Sequence, residues 1–227
     1  MPTSKVIDVK PLIVIVVSAL LLQLIGHYFA PKVLRYEGFM GLWPILRIVL
    51  PAILLMVLAI PLTHIYLKLP RWDKASALTM LVAGVCLIFL AIFLANYADD
   101  YLNHYRKGQS LEQLREAARF ERFLIFTSST LIAWELFHRS FLLGGIRYLL
   151  KERYAVPEVL SNWTAMLMVA SFEALFHIKK PMYESIPFVF ASLALSWLTI
   201  RTNSVLPALF IHLAIELIFG YSAYVGW

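Results

Sequence analysis

Long apolar runs separated by short polar segments follow one another along most of the chain. A membrane-spanning helix needs about 20 mostly apolar residues. By that criterion the pattern predicts seven spanning helices, or eight if the fourth region splits near Gly144 and Gly145. The sequence therefore predicts an all-α, polytopic membrane helix bundle. The predicted spans are residues 11–30, 44–67, 75–97, 123–150, 162–178, 186–200 and 204–223.

One long polar stretch, residues 98–122, separates the third and fourth predicted spans. Its second half places Leu111, Leu114 and Ala118 near one face of a helix. This pattern is typical of an amphipathic helix that lies on the membrane surface. We therefore divide the chain into N-terminal transmembrane helices (1–97), an amphipathic connecting helix (98–122) and a C-terminal helical core with the candidate chemistry (123–227).

Composition supports the membrane interpretation. Of 227 residues, 61% are apolar and 15% charged, whereas soluble domains have about 45–50% and about 25%. The formal net charge is +6, but the basic residues flank apolar runs and are expected to contact lipid head groups, so no nucleic-acid partner is expected. The single cysteine, Cys86, can form no internal disulfide. Lysines and arginines outside the spans divide equally between the two sides, so the membrane orientation is not predicted. The sequence does not predict the oligomeric state either.

Ionisable residues inside the apolar runs are concentrated in the C-terminal half. Only three of the 14 acidic residues lie in such runs, together with three of the six histidines. A charged group at bilayer depth costs about 2.5–3.5 kcal/mol, so these residues need partners or a water-filled cavity. Residues four apart share a helix face and can pair. The pairs at this spacing are Glu135 with Arg139, Glu173 with His177, and His212 with Glu216.

The three paired faces are expected to meet in one buried polar site between the fourth, fifth and seventh helices. A carboxylate near a neutral imidazole can hold and deprotonate a water, and a second polar group can stabilise an oxyanion. These parts suit amide hydrolysis. They also suit a metal, because Glu135 and His138 form a Glu-x-x-His pair of the kind found in di-iron bundles. Each pair alone could instead be structural, and Arg47 is interpreted as an interfacial residue that reaches the head groups.

Three segments carry a resemblance to a known family: "WELFHRS" at 134–140, "SFEALFH" at 171–177 and "SWLTIRTNSVLPALFIHLAIE" at 196–216. Their order and spacing resemble the CAAX prenyl endopeptidase and bacteriocin-processing (CPBP, or Abi) family of glutamic-type intramembrane proteases, over residues 123–220. The family motifs are Glu-Glu-x-x-x-Arg, a histidine at a helix end, and His-x-x-x-Asn/Asp. The resemblance implies water activation by a glutamate and the second-motif histidine, and oxyanion stabilisation by the third motif. Carried across, it assigns Glu135 and Arg139 to the first motif, His177 to the second, and His212 with Glu216 to the third.

Three positions depart from the family pattern. Trp134 stands where the first glutamate, the usual water activator, is expected. Glu173 stands where an aromatic residue is expected, four positions before the second-motif histidine, and Glu216 replaces the Asn or Asp of the third motif. We hypothesise that Glu173, or else Glu135, has taken the water-activating role. His138 lies near the Glu135 face and is interpreted as a supporting group or a bystander.

The resemblance predicts an intramembrane endopeptidase, without metal or cofactor, that cuts a membrane-anchored or lipidated protein within the lipid bilayer. Its substrate is a prenylated C-terminus, a leader peptide or the membrane tail of a surface protein, and the sequence does not choose among them. We expect a multi-pass protein of the cytoplasmic membrane of a prokaryote. Two alternatives stay open: a metal-dependent membrane enzyme, and an inactive scaffold or immunity protein. A transporter is less favoured, since the polar helices have few of the Gly and Pro breaks found at transport sites.

Overall fold

The computed structural model describes residues 8–26, 42–97, 130–177 and 182–225. The predicted amphipathic helix and the start of the fourth predicted span lie outside these residues. Within the described part, regular structure is helical, which confirms the all-α prediction. The α-helices are α1 (Lys10–Leu24), α2 (Leu42–Val57), α3 (Lys74–Tyr97), α4 (Gly145–Tyr148), α5 (Glu158–His177), α6 (Met182–Thr202) and α7 (Leu206–Val225).

A helix lies within or across each of the seven predicted spans. The second differs most in length, because α2 ends at Val57 where the apolar pattern predicts a span to residue 67. Ala59 has a positive φ of 53°, a conformation that ends a helix, and Pro61 follows it. Judged by length and mean hydropathy together, no helix in the described ranges qualifies as a membrane span. The multi-pass arrangement therefore stays a prediction.

Residues 130–153 form one continuous helix, called the long helix below. Two π-helical segments, π1 (Leu136–Gly144) and π2 (Leu149–Arg153), flank α4 within it. The predicted split near Gly144 and Gly145 is absent, since both residues have helical backbone angles. The glycines permit close packing instead. A Cβ on Gly144 would lie 2.7 Å from the His64 carbonyl oxygen, and one on Gly145 would lie 3.1 Å from Ile15 Cδ1.

The largest apolar core crosses the boundaries that the sequence predicts between N- and C-terminal parts. Side chains of α1, α2 and the loop after α2 pack with those of the long helix and α5. A smaller cluster joins α6 and α7, with α3 side chains against it. The N-terminal helices therefore pack directly on the helix that carries Glu135. Buried members of the larger core include Ile15, Ala19, Leu55, Ile60, Phe137, Phe141, Leu142, Ile146 and Val169.

The loop after α2 is tied to the start of α7. Leu67 and Ser204 form an isolated antiparallel bridge. Beside it, the Val205 N–H donates to the Tyr66 carbonyl oxygen at 2.9 Å. These contacts fix the first turn of α7, two turns before His212, and bring the loop alongside the long helix.

Candidate active site

Glu135 and Arg139 lie where the long helix passes from an α-helical start into π1, and both side chains are fully buried. Such π-helical segments are rare and frequent at functional sites. The predicted i,i+4 pair is present, with Arg139 Nε 3.6 Å from Glu135 Oε2. A closer partner comes from α5, because Arg139 Nη1 lies 2.8 Å from Glu173 Oε2. We describe that contact as an ion pair, because its geometry does not meet the criteria for a hydrogen bond. Arg139 therefore bridges two buried carboxylates.

The two oxygens of Glu135 have different surroundings. Oε1 accepts a hydrogen bond from His212 Nδ1 on α7, at 2.6 Å. Oε2 is buried and has no hydrogen-bond partner among the described residues. Buried polar atoms are nearly always paired with protein or ordered water. Oε2 is therefore the carboxylate oxygen with hydrogen-bonding capacity left for a water or a reacting group.

Glu135 also lines a cavity of about 300 Å³ between the long helix, the loop after α2 and the first turns of α7. Apart from Glu135 and Lys68, the lining is aliphatic. This shape and chemistry suit an apolar chain beside a single carboxylate. The aliphatic lining residues are Leu67, Leu69, Ile132, Leu136, Val205, Leu206 and Leu209.

Both carboxylate oxygens of Glu173 are held by neighbours. Oε1 accepts the indole N–H of Trp134 at 2.7 Å. Oε2 accepts the hydroxyl of Ser192 on α6 and faces Arg139 Nη1. Glu173 is fully buried. Its carboxylate therefore connects Trp134 and Arg139 of the long helix with Ser192 of α6.

His177 is held by the backbone of Glu173, one turn before it on α5. Its Nδ1 donates to the Glu173 backbone carbonyl, at 2.9 Å, which leaves the lone pair of the ring on Nε2. The imidazole stacks on Phe188 of α6, with 3.6 Å between ring centroids. The His212 ring lies 5.9 Å from Phe188. Phe188 is thus in ring contact with both motif histidines.

His212 faces a second carboxylate through its other nitrogen. Its Nε2 lies 3.8 Å from Glu216 Oε1, one turn further along α7. The Glu216 side chain is 38% exposed, whereas the Glu135 side chain is fully buried. His212 therefore connects a buried carboxylate with a solvent-accessible one.

His138 is directed toward α1. Its Nδ1 donates to the Trp134 carbonyl oxygen at 2.9 Å, and its Nε2 accepts from the Gln23 amide at 2.7 Å. This pattern assigns the proton to Nδ1. The Glu-x-x-His pair expected for a metal is not formed with Glu135. Within the described ranges no three His, Cys, Asp or Glu side chains gather as metal ligands do, and Arg139 supplies the positive charge beside Glu135.

Sequence reasoning missed three polar residues of this region. Arg47 was expected to reach the head groups, and that interpretation is wrong: only 6% of Arg47 is exposed. Its guanidinium carbon lies 4.9 Å from the centroid of the Trp134 ring. The other two are Gln23 on α1 and Ser192 on α6, both buried. A glutamine inside an otherwise apolar run was the signal for Gln23, and helical spacing of hydroxyl residues with Ser196 was the signal for Ser192.

The comparison with known families agrees with this architecture. The sequence model of the Rce1-like family, described as type II CAAX prenyl endopeptidase Rce1-like, matches residues 119–218. Over these residues the chain is similar to that family of CAAX-type membrane proteases, as the sequence resemblance predicts. No curated protein and no solved structure matches the chain. The match contains all six predicted site residues, whereas Gln23 and Arg47 lie outside it.

Proposed function

We propose that the protein is an intramembrane endopeptidase that hydrolyses a peptide bond of a membrane-anchored or lipidated protein, with Glu135 as the base that activates water. One observation carries the proposal. Glu135 is fully buried, is held at Oε1 by His212, has no hydrogen-bond partner at Oε2 among the described residues, and lines an apolar cavity. A general base must have an oxygen within reach of the proton that it removes.

The same criterion favours Glu135 over Glu173. Trp134 and Ser192 donate hydrogen bonds to Glu173, one to each oxygen, and Arg139 adds an ion pair. A carboxylate with both oxygens engaged in this way would lose established contacts on taking a proton from water. We therefore assign the anchoring role to Glu173.

The proposed reaction needs no group beyond the chain and one water. Glu135 Oε2 takes a proton while the water oxygen bonds to the peptide carbonyl carbon, and the carbonyl π electrons move to its oxygen. The C–N bond then breaks, and the proton passes from Glu135 to the leaving nitrogen. Arg139 Nε and Nη2, buried and without hydrogen-bond partners in the described part of the chain, are donors for the oxyanion. The products are a new carboxyl end and a new amino end, and Glu135 is restored.

Charge balance supports a close link between Glu135 and His212. Two buried carboxylates, Glu135 and Glu173, face one guanidinium, that of Arg139. A proton on His212 would make this group of four side chains neutral. The 2.6 Å contact suits a charge-assisted hydrogen bond.

Apolar side chains on the outer faces of the bundle support a location in the bilayer. Proteins of the matched family are also membrane proteins. Large exposed apolar surfaces mark contact with protein or membrane. The aliphatic cavity supports a substrate with an apolar segment next to the scissile bond. Exposed apolar side chains include Leu21 on α1, Leu81 and Phe89 on α3, Val159 on α5, and Phe190 on α6.

Comparison of protein termini tests the proposal even before a substrate has been identified. Membrane and secreted proteomes would be compared between cells with the wild type, E135Q or E173Q at matched expression. E152Q, at a partly exposed side chain away from the site, is the control. We expect a small set of termini to disappear in E135Q and to persist in E152Q. Termini that persist in E135Q would refute the assignment of the base, and identical termini with and without the whole protein would refute the endopeptidase.

A further inference from the structure

We propose that Trp134 is a positioning residue: its indole N–H fixes the Glu173 carboxylate, which holds Arg139 beside Glu135. This inference rests on the proposed function. Trp134 and Glu173 are two of the three positions that depart from the family pattern, and they are in direct contact, with 2.7 Å between Nε1 and Oε1. The two departures are complementary, because an indole donor on the long helix meets a carboxylate acceptor on α5.

The contact restrains rotation of the Glu173 carboxylate. Trp134 occupies one oxygen, and Ser192 with Arg139 occupies the other. Besides the indole, His138 Nδ1 lies 3.6 Å from Oε1. That distance exceeds a normal hydrogen bond, and this nitrogen already donates to the Trp134 carbonyl oxygen. Loss of the N–H would therefore free the carboxylate to turn and to displace the Arg139 guanidinium.

Two N-terminal helices support the tryptophan ring from outside the matched region. The Arg47 guanidinium of α2 lies over the ring at 4.9 Å, a cation–π contact. The His138 ring lies 4.3 Å away, tilted by 40°, and is itself fixed by Gln23 of α1. The indole plane is thus restrained by residues from α1, α2 and the long helix. Mere core filling would not require the indole N–H to point at a buried carboxylate.

The kinetic test uses W134F, which keeps an aromatic ring and removes the donor. The substrate is a synthetic peptide that spans a cleavage site identified from the termini. Because Glu173 acts through Arg139 on the reacting groups, we expect kcat to fall about tenfold with KM within twofold, a loss typical of one hydrogen bond to a charged group. W163F, at an exposed tryptophan on the same helix as Glu173, is the matched control and should retain both constants. An unchanged kcat in W134F would overturn the inference.

An exchange of the two side chains provides a second test, with stability as the readout because W134E also restores the first glutamate of the family motif. W134E puts two carboxylates in contact, and E173W puts two indoles there, so each single variant should lower the free energy of unfolding. The double variant W134E/E173W restores one indole and one carboxylate across the same contact. Its loss should be smaller than the sum of the two single losses, as for interacting neighbours in double-mutant cycles. A double variant whose loss equals or exceeds that sum would overturn the pairing.

The indole N–H resonance of Trp134 tests the contact without any substrate. In protein labelled with 15N-tryptophan, the peak that W134F removes is that of Trp134. We expect E173Q to move this peak and E216Q to leave it in place. If E173Q leaves the peak in place, the contact is refuted, whether or not the protein is an endopeptidase. If E173Q moves it while E135Q retains cleavage, the positioning contact stands and the proposed base is wrong.

Discussion

His212 Nδ1 lies 2.6 Å from Oε1 of Glu135, and this contact joins α7 to the long helix at the point where the long helix enters π1. The two residues are 77 positions apart, and both are buried. One oxygen of the glutamate is thereby fixed, and the orientation of the other is fixed with it. The role of Glu135 therefore depends on a side chain from the far end of the matched region.

Two substitutions of His212 should separate the effect of its hydrogen-bond donor from the effect of its side-chain volume. H212A removes the donor to Glu135, and we expect peptide hydrolysis to fall at least 100-fold, a loss comparable to that of an essential general acid or base. H212N retains a side-chain N–H donor and should recover part of the rate. The measurement is cleavage of the substrate peptide by purified variants with matched thermal midpoints. Equal rates in H212A and the wild type would contradict the role of this contact.

Removal of Arg139 should destabilise the fold. R139A leaves the buried carboxylates of Glu135 and Glu173 without the guanidinium between them, and breaking a buried pair in this way costs about 3–5 kcal/mol. The control is R201A, which breaks an exposed pair with Asp73 worth about 0–1 kcal/mol. Denaturant unfolding of the two variants in one detergent gives both values. A loss in R139A no larger than that in R201A would show that the bridge contributes little.

A methyl group on Gly144 should disturb the packing of the loop after α2. A Cβ there would lie 2.7 Å from a backbone oxygen of His64, which cannot rotate away. We expect G144A to lower the free energy of unfolding by about 1–3 kcal/mol, as overpacked cores do. In G84A, on α3, the nearest atom would be 3.9 Å from the new Cβ. The higher helix propensity of alanine should then raise stability by about 0.5–1 kcal/mol. Opposite signs in thermal unfolding confirm the prediction.

The ion pairs at the start of α5 should make stability depend on pH. Lys151 donates a hydrogen bond to Glu158 and, with Arg147, holds the pKa of that carboxyl below its usual value. A folded-state pKa below the unfolded one stabilises the protein above the unfolded pKa, and this contribution is lost as pH falls through the folded pKa. The thermal midpoint of the wild type should therefore exceed that of E158Q near neutrality, and the two should converge in acid. A constant difference across pH would contradict this assignment.

The positions of the helices could be predicted from the sequence, because the lengths of the apolar runs determine them. The end of α2 could not, since Leu58 to Leu67 contains apolar residues that continue the run, while a positive φ at Ala59 and the pairing near Ser204 end the helix. Spacing by four predicted which residues share a face. It did not predict the partners of Glu173, because those come from Ser192 and Trp134 on neighbouring helices.

Arg47 shows a second limit of pattern-based inference. A single arginine in an apolar run is usually expected to reach toward water. The ring of Trp134 provides an alternative partner for its guanidinium, and only the packing of α2 on the long helix brings the two together. The related signal in the sequence is Trp134 itself, an aromatic residue at a position where the family has a glutamate.

The core shared by α1, α2 and the long helix has a practical consequence for fragment design. A fragment limited to the matched residues 119–218 would lack Ile15 and Leu55, which are fully buried against the long helix. It would also leave His138 without its amide partner. Grafting the three motif segments onto another scaffold therefore requires transfer of the first two helices as well, or a designed surface that reproduces their contacts.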